Sequence, residues 1–157
     1  MTVDDSAEST NERAWRAIPP MVVLTIEEQA TSFYTGGRLH RARQLFEILV
    51  KMRPSAAQCW MMLGVIHRRN GDLIRALTSL QRAAELDATN RAALINLGEC
   101  LVLAGRIEEG VDVMRAVFDM GFVDGAPAVD QDGMTKRAGA QLAVLRELAE
   151  AMCDDGG

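Results

Sequence analysis

Three glycines stand at intervals of 34 residues, Gly37, Gly71 and Gly105, and each follows a small residue at the same offset: Ala30, Gly64 and Gly98. A repeat of this length is one supersecondary unit, too small to bury its own apolar face, so successive copies must stack on one another. The register holds elsewhere: Ala42, Ala76 and Gly110 correspond, as do Phe46, Leu80 and Met114, and Leu49, Ala83 and Val117. Within each unit the apolar residues follow a 3.6-residue period and not an alternating one, so the elements are helices. The small residues let two antiparallel helices approach closely while the large partners fill the space beside them. Each of Gly37, Gly71 and Gly105 closes an apolar stretch, where a left-handed residue ends a helix.

In the middle unit the run Trp60, Leu63, Gly64, Gly71, Ala76 and Ala83 reproduces most of the tetratricopeptide consensus, and Pro54 closes the first unit at the corresponding place. The expected fold is all-α: three helix-turn-helix repeats in a short right-handed solenoid with a C-terminal capping helix. Residues 1–22 are expected to form a mostly disordered tail with a dimerisation helix, and 23–153 the repeat domain. The repeats fall at about 23–56, 57–90 and 91–124. Helices are predicted near 25–35, 39–52, 56–69, 73–86, 91–103 and 107–119, with the capping helix at about 135–152. Thr25 to Glu28 and Ser55 to Gln58 have the spacing of capping boxes. Gly110, inside a predicted helix, should cost about 1 kcal/mol relative to Ala. Gly121 to Gly133, rich in Gly, Pro and Asp, reads as a loop. The last helix carries Leu142, Val144, Leu145, Leu148 and Met152 on one side and a polar outer face suited to ending a solenoid. Polar residues 1 to about 20 end in Pro19-Pro20, with a short helix around 11–17. Trp15 and Ile18 there have the character to dock on the domain or on a second copy.

The chain is 157 residues long and 48% apolar, enough for one domain with a continuous core; aromatics are scarce and Met plentiful, which suits helix-on-helix packing. Its net charge of −5 gives no electrostatic footprint for nucleic acid or anionic lipid. Arg38, His40, Arg41 and Arg43 read as a solvated helix face. The N-terminus lacks the pattern of a secretory signal, and no run of about 18 apolar residues could span a membrane. Cys59, Cys100 and Cys153, widely spaced and odd in number, fit reduced thiols, and the expected location is the cytoplasm. His40 and His67 are the two histidines; His67 takes a consensus aromatic position and is assigned to packing. No close Cys or His pair offers a zinc site, and there is no phosphate-binding glycine loop. The reading is a non-enzyme with no catalytic residue, cofactor or metal.

Binding is then the use of the array, and the first helix of each unit lines its inner face. Leu24, Glu27, Thr31 and Tyr34 fall there in the first unit, Gln58, Met61, Val65 and Arg68 in the second, and Ala92, Ile95, Glu99 and Val102 in the third. Of these, Leu24, Thr31, Tyr34, Met61, Val65, Arg68, Ile95, Glu99 and Val102 are the candidate groove residues. The basic clamp with which such domains hold acidic C-terminal tails is missing, because Glu27, Thr31, Met62, Ala92 and Asn96 occupy its places. A largely apolar groove fits an extended peptide with apolar anchors, and Met lets it adapt.

Phe33-Tyr34-Thr35-Gly36-Gly37-Arg38 with Ala42 and Phe46, Trp60 to Gly64, and Gly98-Glu99-Cys100-Leu101 followed by Gly105 resemble a known family over about residues 24–153. It is the small tetratricopeptide chaperones of bacterial type III secretion, of the SycD/LcrH kind, that hold hydrophobic translocators. The resemblance implies a cytoplasmic chaperone, part of a virulence apparatus, that binds a proline- and leucine-containing segment of a translocator and prevents premature association. It places Tyr34, Met61, Val65 and Ile95 in the client groove, and family dimerisation through the N-terminal region would assign that role to Trp15 and Ile18. The chain departs from the family at Leu39, Leu73 and Ile107, where a Tyr is often found, and at Glu27, often an aromatic. Other readings are an adaptor or regulatory scaffold that holds a folded partner, with the Arg38 to Arg43 edge in contact, and a chaperone of the needle subunit.

Overall fold

The computed structural model describes residue 15 and residues 17–123, 126–127 and 133–154. Its helices are α1 (Pro20–Thr35), α2 (Leu39–Met52), α3 (Ala57–Arg69), α4 (Leu73–Leu86), α5 (Arg91–Leu103), α6 (Ile107–Asp119) and α7 (Met134–Asp154). They form three antiparallel pairs, α1–α2, α3–α4 and α5–α6, stacked in order, with α7 packed on the last pair. Along the stack α3 touches α5 and α5 touches α7, with no comparable contact joining α2 to α4 or α4 to α6. The stack therefore curves toward its first helices.

The period is visible in the backbone of each turn. Gly37, Gly71 and Gly105 adopt φ of 73°, 78° and 79°. The amide after each glycine reaches back to the helix it has left: Arg38 N–H to the Phe33 carbonyl at 2.8 Å, Asp72 to His67 at 3.0 Å, and Arg106 to Leu101 at 2.9 Å. These bonds close the helix end with the left-handed residue that only glycine adopts cheaply.

Small residues also set how closely each pair packs. A Cβ on Gly64 would lie 2.6 Å from Leu80 Cγ, and one on Gly98 would lie 3.0 Å from Met114 Cγ. Gly110 answers the helix-propensity cost expected of it: its Cβ would stand 2.7 Å from Val102 Cγ2 and 2.9 Å from the Gly98 carbonyl, so α5 and α6 meet glycine against glycine. Behind these contacts run three apolar clusters. The first includes Phe46, Leu49, Leu63 and Ile66, the second Leu80, Leu97, Cys100 and Leu101, and the third Ile95, Val117 and Ala138.

Two local expectations are corrected. The first helix begins at Pro20, whose fixed φ is preset for an N-terminal helical position, so Thr25 lies inside it; the Thr25 hydroxyl donates to the Met21 carbonyl at 2.9 Å and caps nothing. The second expected box also fails. Ala56 is the N-cap of α3 and makes no side-chain cap, while Trp60 Nε1 donates to the Pro54 carbonyl at 2.9 Å. The side-chain caps that do form are Asp72, which accepts from Arg75 N–H, and Asn90, which accepts from Ala93 N–H.

At the N-terminal end, Trp15 and Ile18 are partly buried against the first cluster, taking the docking alternative within one chain. Residues 1–14 and 16 of the expected tail, with most of the short helix expected at 11–17, lie outside the described residues. Within the expected loop 121–133, residues 122–123 and 126–127 pair as a short antiparallel ladder, Phe122 with Pro127 and Val123 with Ala126. On α7 the buried contact comes from a small residue, Ala138, with Gly139 set under the Phe118 ring, while Val144 of the expected apolar side is 55% exposed.

Candidate functional site

An open groove of about 560 Å3 runs along the inner side of the C-terminal half of the stack. Val102 and Leu103 of α5 and Met114 of α6 form one wall, and Ala140, Val144 and Leu145 of α7 form the other. Arg68 reaches in from α3, Glu99 from α5, and Arg137 and Gln141 from α7. Leu103 and Val144 are 62% and 55% exposed, so apolar surface stays open to solvent on both sides of the groove.

A single carboxylate organises the polar floor. Glu99 Oε2 accepts from Arg68 Nη1, and Glu99 Oε1 accepts from Arg137 Nε at 3.1 Å, from Arg137 Nη2 and from Gln141 Nε2. Burial on its own would raise the Glu99 pKa; the Arg68, Arg137 and Gln141 donors outweigh it and hold the carboxyl below its ordinary value. Glu99 thus stays ionised and links α3, α5 and α7 across the groove.

Of the nine groove candidates, Arg68, Glu99 and Val102 line this groove together. Ile95 does not: it is fully buried beneath α7 with Val117 and Ala138, so it is not an open groove position and a charge there would attack the fold. Met61 and Val65 are each only 8% exposed and contribute mainly to packing. Thr31 and Glu27 border a second, smaller hollow of about 350 Å3 between α1 and α3, where Glu27 pairs with Arg53 at 2.8 Å. Tyr34 is half-buried with the Arg69 guanidinium 5.2 Å from its ring centre, and Leu24 is 49% exposed on α1.

Reading by units missed the α7 wall, namely Arg137, Ala140, Gln141, Val144 and Leu145. The signal existed as a helix of mixed polar and apolar residues after the third unit. It starts at Met134, however, and not near 125, where a fourth unit would begin in the 34-residue frame.

His67 and the two buried cysteines lie among packed side chains. His67 is 4% exposed and its Nδ1 has no partner, in keeping with a packing role. Burial lowers its pKa, as do Arg43 and Arg75, against the opposing pull of Asp72 and Glu47. Burial pushes the Cys59 thiol up to about 11, with Glu27 adding to the rise, and burial also raises Cys100. Among the described residues no group of His, Cys, Asp and Glu is placed to hold a metal, and no helix is long and apolar enough to cross a membrane.

Comparison with known proteins agrees with this architecture. The family described as tetratricopeptide repeat matches residues 27–90 and, through a second model of the same description, residues 67–120. Peroxisome biogenesis protein 5 of Arabidopsis thaliana is 34% identical over 71 residues, 45% of this chain and 10% of that protein; the chain thus spans only a small part of such relatives. Among solved structures, the type III secretion translocator chaperone SycD of Yersinia enterocolitica superposes with a TM-score of 0.77 at 16% identity, covering 86% of this chain and 90% of SycD. PcrH in complex with the chaperone-binding region of PopD superposes with a TM-score of 0.73 at 19% identity, covering 85% of this chain and 97% of PcrH.

Proposed function

Because this chain is a tetratricopeptide-repeat solenoid with the fold of the translocator chaperones, we propose that it is itself a chaperone of type III secretion. In this reading it binds an extended apolar segment of a hydrophobic translocator and keeps that client soluble in the cytoplasm before export. The observation that carries the reading is the groove between α5 and α7, open and apolar on both walls. An extended segment laid there would bury Leu103 and Val144, which the isolated chain leaves to water. Client binding by PcrH, whose fold this chain shares over most of its length, supports the same conclusion. Homodimer formation through the Trp15 and Ile18 region belongs to this reading as well.

The test uses residues already exposed, so that folding is spared. Co-expression of a hydrophobic translocator with the Leu103→Gln/Val144→Gln variant should leave the client insoluble, whereas wild type and the control Ile74→Gln, 81% exposed on α4, keep it in solution. Full solubilisation by the groove variant would sink the assignment.

One observation favours a second reading, an adaptor that holds a folded partner. Arg38 and Arg41 lie 4.6 Å and 5.7 Å from the Phe33 ring centre, exposed at the first turn. Loss of partner binding on Arg41→Glu, with the groove variant unaffected, would select it.

A further inference from the structure

We propose that the segment held in the groove carries a carboxylate, an Asp or Glu set among apolar residues, and that Arg68 and Arg137 receive it. This rests on the groove being the client site.

The charge balance comes first. Arg68, Arg137 and Glu99 are the charged residues lining the groove, two cations to one anion, so the floor of an apolar channel holds an uncompensated positive charge. In such surroundings a charge interacts far more strongly than in water, and the matching partner is an anion. The chain as a whole carries −5, so this positive floor is a local feature against the overall sign.

The hydrogen-bond inventory points the same way. A carboxylate offers about four lone-pair sites. Glu99 receives Arg68 Nη1 on Oε2 and Arg137 Nε, Arg137 Nη2 and Gln141 Nε2 on Oε1, four donors in all. Arg68 keeps Nε and Nη2, and Arg137 keeps Nη1, beyond what Glu99 accepts. Both side chains reach solvent, at 23% and 42% exposure, so these donors face an incoming segment. Surplus guanidinium donors on the floor of an apolar groove match a peptide whose side chain supplies a carboxylate. A wholly apolar segment would leave these guanidinium donors without a charged partner, and a Lys or Arg would add to the charge excess.

The experiment measures fluorescence anisotropy of labelled Leu- and Pro-rich synthetic peptides in which one position, walked along the sequence, is Glu, Gln or Lys. Wild type should bind the Glu peptide about tenfold tighter than its Gln counterpart in one register, the size expected of a charge-assisted hydrogen bond, and the Lys peptide weakest. Arg137→Gln should abolish the Glu preference, bringing the Glu and Gln peptides to equal affinity in that register whatever its effect on overall binding. Glu99→Gln frees both guanidinium groups and should increase affinity for the Glu peptide, a gain that a folding defect does not produce. Equal binding of Glu and Gln peptides in every register would overturn the inference and leave the groove reading standing. Failure of all peptides to bind would overturn both.

Discussion

At the scale of single residues, the repeat is built from what is missing. Gly64, Gly98 and Gly110 sit where a methyl would strike a neighbouring helix, and in the third unit Gly110 takes the place that Ala76 holds in the second. That much was legible in the sequence, because a helix packed without a Cβ has a signature at a fixed interval. The capping boxes at Thr25 and Ser55 were legible wrongly, since a local spacing says nothing about a proline that starts the helix earlier. His67 illustrates a residue whose position was clear and whose chemistry emerges from packing. Its imidazole is buried with Nδ1 unpaired, and its pKa lies below the usual 6.5. The unfolded chain therefore takes up a proton near pH 6.5 while the folded chain resists, so stability falls as pH drops below that value and is unaffected above it. The unfolding free energy from urea titration should decline between about pH 7.5 and about pH 5.5 with a slope of at most about 1.4 kcal/mol per pH unit. His67→Phe should flatten it. The lowered carboxyl of Glu99 acts in a separate window, below the ordinary 4.5, where protonation removes its stabilisation. An unchanged slope in the Phe variant would assign the pH dependence to other groups.

At the scale of elements, α2, α4, α5 and α6 fall where the 34-residue frame predicts, because amphipathic spacing and the turn glycines agree. The frame could not place α7 in the groove, since the segment before it breaks the period and the fully buried contact on α7 is made by the small Ala138, beside Gly139. Half of the site was therefore hidden: Glu99 and Val102 could be counted from the repeat, but their partners on α7 could not. The docking of α7 rests on Ala138, fully buried against Ile95 and Val117. Ala138→Asp places a carboxylate there with no cation in the cluster, at a cost of about 3 kcal/mol if the helix stays docked. Undocking is the cheaper response, and it uncovers Ile95 and Val117. Thermal denaturation should show a lowered Tm, and the variant should enhance the fluorescence of an apolar dye that wild type leaves dark. An unchanged Tm with no dye binding would mean that α7 is held by contacts other than this cluster.

At the scale of the whole molecule, a stack in which each pair touches only its neighbours has no single core to unfold at once. Stability should then be graded by how many sides of a helix are covered. Helices α3 and α5 each bury seven of their thirteen residues, whereas α1, at the open end, buries two of sixteen. Their central place explains this, as each packs on its own partner and on the units to either side. Local opening free energies follow buried apolar contact, so native-state hydrogen exchange should be slowest in α3 and α5 and fastest in α1 and α7. The gradient bears on function, because the groove is formed between one of the best-held helices and the terminal one. A segment bound between α5 and α7, held through Arg68 and Arg137, would tie the terminal helix to the protected centre and slow exchange in α7 far more than in α1. Uniform protection across all seven helices, with no selective slowing of α7 on binding, would mean that the molecule opens as one unit and that the groove is already rigid before its ligand arrives.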